Sequence, residues 1–149
     1  MTPRQIDLIR DNWSAVEPIA DTAATLFYDR LFELDPAIRR LFRRTDMAQQ
    51  RKILMQTLTV VVKSLDKLET IVPAVQALGR RHAGYGVRAE HYESVGLALL
   101  WTLQQGLGEA FSDEEREAWA AAYGTLASVM IGAAADAERE ARTAETVAA

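Results

Sequence analysis

The chain has 149 residues, 17 cationic and 21 acidic side chains, and a net charge of −4. It contains no cysteine and only two histidines, His82 and His91. These counts exclude disulfides, iron–sulfur clusters, thiol catalysis and a three-histidine zinc site. The length suits one domain, burying about 70% of its unfolded surface. A composition of 49% hydrophobic and 26% charged residues is that of a globular chain. No GxxxxGK[ST] or GxGxxG phosphate loop occurs, nor HExxH. A pI near 5.2 argues against nucleic-acid binding. No apolar run is read as approaching the roughly 20 residues of a membrane span. The N-terminus has no apolar signal core, so a cytoplasmic location is the expectation.

Apolar residues recur at helical spacing from end to end, which predicts an all-α chain of seven helices, one of them short. Thr2-Pro3 with Gln5 forms a capping box opening the first helix, whose stripe is Ile6, Ile9, Trp13 and Val16. Pro18 breaks it. A second helix, from about Ile19 to Leu34, carries Ala24, Phe27, Tyr28 and Leu31. Asp35-Pro36 predicts a cap and start for a short helix through Ile38 to Phe42. Residues 43–47 read as a loop. A helix from about Ala48 to Leu65 turns Leu54, Leu58, Val61 and Leu65 inward. Asp66-x-x-Glu69 reads as a capping box opening the next helix, with Leu68, Ile71, Val72, Val75 and Leu78 on its stripe. Gly84 and Gly86 end that helix. Arg88 to about Leu107 is expected to be a central helix, stopped by Gly108. Ser112-x-x-Glu115 caps the last, with Trp119, Tyr123, Leu126 and Met130 inward. One domain is expected over 1–137, followed by a fraying tail over 138–149. These apolar faces favour a three-over-three sandwich over four long antiparallel helices.

His82 is Leu78 plus four, so it lies on a core-facing stripe. It reads either as a core histidine bonded to a carbonyl or as a metal ligand. Gln50 is Leu54 minus four: a surface residue of the first turn, or a polar group at the end of an apolar row. Tyr28 shares an inward face with Ala24 and Leu31, and a buried tyrosine needs a partner for its hydroxyl. Phe42 reads as core. His91 reads as a surface residue opening a helix. The paired basic residues Arg39-Arg40, Arg43-Arg44, Arg51-Lys52 and Arg80-Arg81 read as solvated faces, or for one or two of them as an anion site.

Leu26-Phe27-Tyr28, Asp35-Pro36 to Leu41-Phe42, Gln50, Arg81-His82 and His91-Tyr92-x-x-Val95-Gly96 occur in this order. Together they resemble the bacterial single-domain globins related to the haem domain of flavohaemoglobins, over roughly residues 3–133. The resemblance implies a globin fold and haem b. It implies His82 as proximal iron ligand, its second nitrogen donating to a carbonyl one turn back. It implies Phe42 against the haem face, Tyr28 and Gln50 as the distal polar pair, and Leu54 as the apolar wall. Val87, Tyr92 and Val95 would line the cofactor pocket, and Arg81, Arg51 or Arg44 would meet a propionate. Implied ligands are O2, CO, NO and nitrite, with slow O2 release.

The alternatives are NO dioxygenation or nitrite reduction with an external flavin reductase, or a haem-based sensor. No nucleic acid or membrane partner is expected, and a monomer or homodimer is. The family places a glutamate on the last helix near the proximal histidine, where this chain has Ala134. That departure weakens the case for strong oxidative specialisation.

Overall fold

The computed structural model describes residues 1–148, and the expectation for residue 149 lies outside them. Six α-helices form: α1 (Pro3–Val16), α2 (Ala20–Leu34), α3 (Met47–Lys63), α4 (Val72–Gly84), α5 (His91–Leu107) and α6 (Asp113–Ala148). Four short 3-10 segments join them, and no strand occurs among the described residues. Helices α1, α5 and α6 pack on one another, while α2 lies on α5, α3 on α1 and α4 on α6. That is a three-over-three arrangement, as the apolar stripes predict.

The N-terminal capping box is present: Thr2 Oγ1 accepts from the Gln5 amide at 3.1 Å, and Gln5 Oε1 accepts from the Thr2 amide at 3.0 Å. Ser112 Oγ accepts from the Glu115 amide at 3.2 Å at the start of α6. The expected short helix is the 3-10 segment Pro36–Phe42.

Two expected helix starts are corrected, and a third helix has a cap within the expected loop. Asp66 does not cap a helix, because Arg10 reaches its carboxylate at 2.9 Å and also donates to the Val62 and Lys63 carbonyls. Residues 65–70 form a 3-10 segment, and α4 begins at Val72 with Pro73 in its first turn, where no amide hydrogen is needed. Asp46, read as loop, caps α3 through the Gln49 amide. The fifth helix begins at His91, three residues later than Arg88, since Gly86 adopts φ +95° and turns the chain first.

One expectation about α6 also changes. Its stretch 118–135 is uncharged, and α6 alone among the described helices is long and apolar enough to cross a membrane by length and composition. One side of it carries core residues Ala118, Trp119, Ala122, Met130 and Ala133. The segment expected to fray continues the helix to Ala148, exposed through residue 146. Its alanine, glutamate and arginine residues are strong helix formers, and Arg139 pairs with Asp136 just before it.

The core centres on Ile9, Leu31 and Leu103. Trp13 and Trp119 meet at 5.9 Å between ring centroids. Both indole N–H groups are satisfied, Trp13 by Thr59 Oγ1 and Trp119 by Asn12 Oδ1, each at 3.0 Å. These bonds tie α1 to α3 and α6. Helix α5 is expected to be central and buries Ala98, Leu99, Thr102 and Leu103, yet Leu97 is 53% exposed.

Helix α4 approaches α6 closely at Gly79, where an added Cβ would lie 2.5 Å from the Met130 carbonyl oxygen. We expect Gly79→Ala to destabilise by about 1–3 kcal/mol through overpacking. Gly84→Ala, with nothing within 4 Å of the new carbon, should be neutral or stabilise by up to about 1 kcal/mol. Urea denaturation of the two variants measures the difference, and equal stabilities would contradict the close contact.

Candidate functional site

Tyr28 is buried, 5% exposed, on the inner face of α2. Its ring meets Phe27 at 5.0 Å, Phe42 at 5.6 Å and Phe32 at 6.1 Å, and Phe32 meets Phe42 at 5.5 Å. These aromatic contacts fix the phenol, because edge-to-face neighbours leave it little rotational freedom. Phe32 was not singled out in the sequence, although its position at Tyr28 plus four is the signal that could have found it.

Gln50, in the first turn of α3, donates from Nε2 to Tyr28 Oη at 3.1 Å. The two residues that the resemblance pairs are therefore in direct contact. The Gln50 bond occupies the acceptor side of the hydroxyl, and among the described residues nothing accepts the Tyr28 proton. Burial pushes the Tyr28 pKa up, opposed by the Gln50 hydrogen bond. The phenol is thus neutral at physiological pH and is a donor. Leu54 lies one turn beyond Gln50, half-buried.

His82 sits in the last turn of α4. Its Nδ1 is 2.7 Å from the Leu78 carbonyl oxygen. A carbonyl only accepts, so Nδ1 carries the proton and the neutral ring keeps its lone pair on Nε2. Burial pushes the His82 pKa down; the Leu78 carbonyl opposes this, and neighbouring Arg81 adds to the lowering. His82 is thus half-buried and bonded to a carbonyl, with a second nitrogen to which no described residue donates.

His91 differs. Its Nδ1 accepts from the Arg88 amide at 2.9 Å, closing the turn before α5. Tyr92 is half-buried, with its pKa raised by burial. The Tyr92 backbone carbonyl accepts from Tyr123 Oη at 2.6 Å. Gly96 lets the Tyr123 ring lie against α5, since a Cβ there would stand 2.9 Å from Tyr123 Cε2. Ala134 lies half-buried on α6 and offers no polar side chain.

Val87 and Val95 are half-buried, and the Val87 amide donates to the His82 carbonyl at 3.0 Å. Of the three basic residues considered for a propionate, Arg51 turns to α2, its Nε 3.8 Å from Asp21 Oδ1. Arg44 and Arg81 are exposed. No cluster of three or more metal-ligating His, Cys, Asp or Glu side chains occurs among the described residues.

The arrangement fits a flat, largely apolar cofactor carrying one metal. Helix α3 packs on α1 and α2, and α4 packs on α6. Leu54, Leu58 and Val61 of α3 and Leu78 of α4 remain half-buried, as do Leu41, Phe42 and Val95. A planar apolar ring would cover such side chains at about 25 cal/mol per Å², and Nε2 of His82 supplies one nitrogen donor.

A globin family model matches residues 25–130. The chain belongs to the globin family. It is 33% identical over 134 residues to the flavohaemoprotein of Bordetella parapertussis, and 30% identical over 131 residues to that of Bacillus subtilis. These alignments cover 89% and 87% of this chain but 33% of each relative, so the chain spans about a third of their length. Among solved structures, a bacterial globin from Campylobacter jejuni superposes with a TM-score of 0.81 at 25% identity, over 93% of this chain and 99% of the other. An engineered carbene transferase from Rhodothermus marinus gives 0.85 at 24% identity, over 95% and 99%, which speaks for the fold. The chain is a haem globin with an all-α fold.

Because His91 closes a turn through its own ring nitrogen, His91→Ala should cost about 1 kcal/mol of stability, as loss of a helix-terminal bond does. Hemin uptake by that variant should match the parent. A weakened hemin titration would place His91 at the cofactor instead.

Proposed function

We propose that this globin binds haem b and reversibly holds O2, with CO and NO as further ligands. His82 is the proximal ligand through Nε2, and the Leu78 carbonyl holds its ring in the required tautomer. Phe42, Leu54, Val87, Tyr92 and Val95 line the pocket. Arg81 is the basic residue next to the proximal histidine that would meet a propionate, with Arg44 as the other candidate.

Haem b supplies the iron at which a diatomic gas binds. This chain's residues do the rest. Half-buried aliphatic side chains exclude water from the pocket. Tyr28 presents its hydroxyl proton to a ligand that carries partial negative charge, and Gln50 orients that hydroxyl by donating to its oxygen. The observation that supports this reading is the direction of the Gln50–Tyr28 bond. It turns two expected parallel donors into a series, in which Gln50 acts through Tyr28. A neutral hydrogen bond of about 0.5–1.5 kcal/mol slows ligand loss up to roughly tenfold. O2, more polar than CO when bound, gains more.

The second reading is NO dioxygenation with an electron donor, and the flavin in the name of the flavohaemoprotein relatives supports such a donor. Ala134 in place of an acidic residue leaves His82 bonded to a carbonyl rather than to a carboxylate-linked partner. That makes the imidazole a weaker electron donor, so gas binding is the primary reading. A bacterial cytoplasmic setting accords with it.

Stopped-flow O2 dissociation tests the series arrangement. Tyr28→Phe should accelerate release about tenfold, and Gln50→Leu by less. The double variant should match Tyr28→Phe, because residues acting in series are not additive. Additive effects, or an unchanged Tyr28→Phe rate, would sink the arrangement.

A further inference from the structure

Charge is distributed unevenly over this acidic chain. Residues 36–52 and 80–88 hold nine of the 17 cationic side chains and one of the 21 acidic ones. The remaining residues carry eight cations against 20 acids. The two basic segments belong to one region of the fold. Leu41 Cδ2 lies 3.3 Å from where a Cβ on Gly86 would stand, which sets the 3-10 segment Pro36–Phe42 against the corner between α4 and α5. Ser94 Oγ donates to Asp35 Oδ2 at 3.5 Å across the same junction.

The cations of this rim are largely unneutralised. Arg39, Arg40, Arg43, Arg44, Lys52, Arg80, Arg81 and Arg88 are all exposed. Within the rim the described ion pairs are Arg51 with Asp21 and Arg88 with Glu90, both at 3.8 Å. Elsewhere Arg4, Arg10, Arg30 and Arg139 each meet a carboxylate. The rim also flanks the candidate pocket: Phe42 and Gln50 lie within the first segment, His82 and Val87 within the second.

We infer that this basic rim is the docking face for an acidic flavoprotein that reduces the haem; the inference rests on the haem reading above. The charge map argues for a compact acidic partner, and the flavin follows from the flavohaemoprotein relatives. An anionic membrane or a long nucleic acid is extended, and the net charge of −4 on the whole chain opposes its approach. A compact acidic protein meets the rim alone, since charges beyond about 8 Å are screened at physiological ionic strength. Complementary charge steers such encounters and raises their rate. At the rim, a donor's flavin comes close to the pocket edge. One electron then leaves the reduced flavin, which is oxidised by one equivalent, and ferric iron is reduced to ferrous; no bond forms or breaks.

The test uses an acidic flavodoxin as probe and two double variants of equal charge change. Arg40→Glu with Arg43→Glu alters the rim. Lys63→Glu with Lys67→Glu alters exposed positions at the end of α3 and the segment after it. Flavodoxin affinity is measured for haem-free and haem-loaded protein, at about 20 and about 200 mM salt. The rate of ferric haem reduction by photoreduced flavodoxin is compared with the rate by dithionite. The rim variant should lose about tenfold or more in affinity and in flavodoxin rate, with its Soret band and dithionite rate unchanged. The control should change less than threefold, and salt should weaken parental binding about tenfold.

Equal losses in the two variants would overturn the assignment, as would no loss in either. Tighter binding of phosphatidylglycerol vesicles or duplex DNA than of flavodoxin would overturn the choice of partner. Failure of the haem reading is separate: hemin uptake would be absent while flavodoxin binding to the haem-free chain still reported on the rim, and the electron-donor role would then fall.

Discussion

The hydrogen bond from His82 Nδ1 to the Leu78 carbonyl, at 2.7 Å, is the constraint on which the rest depends. It fixes which nitrogen carries the proton, holds the ring orientation, and leaves Nε2 as a donor to a metal. The bond is local, but its position is not. Helix α4 is seated on α6, and the seat needs Gly79, three residues before His82, against the Met130 backbone. A larger residue there would displace the turn that carries the imidazole. Precision at the site therefore comes from close backbone packing on the far side of α4.

The other half of the site is fixed differently. Tyr28 is held by three phenylalanine rings and by one amide from α3. The chain's main core, around Ile9, Leu31, Leu103 and the two tryptophans, satisfies its own polar groups and ties α1 to α3 and α6. Tyr28 belongs to that same core, and the half-buried Phe42, Leu54, Leu58, Val61 and Val95 pack against it. Folding and ligand binding thus share apolar surface, and substitutions in the pocket should affect both cofactor affinity and chain stability.

Much of this was legible in the sequence because it is set by short-range pattern. The capping box at Thr2, the glycine stop at Gly108 and the helical stripes depend on residues within a turn or two of each other. His82 fell on a stripe for the same reason, and Tyr28 with Gln50 could be paired through the family resemblance. What failed depended on distant partners. Asp66 has the spacing of a cap, but Arg10, 56 residues away, takes its carboxylate. Asp35 precedes a proline as a cap would, yet its carboxylate accepts from Ser94. Gly79 shows no local signal at all, since its role is an approach by Met130. The direction of the Gln50–Tyr28 bond was likewise invisible, because spacing identifies neighbours but not which one donates.

The most direct measurement is a hemin titration of the purified chain and of His82→Ala, followed by absorption spectra of the ferrous protein under CO. The parent should saturate at one hemin per chain and give a sharp ferrous–CO Soret band, and His82→Ala should retain hemin weakly or not at all. A parent that leaves hemin with its free spectrum, or a variant with an unchanged Soret band and unchanged CO binding, would contradict His82 as the iron ligand.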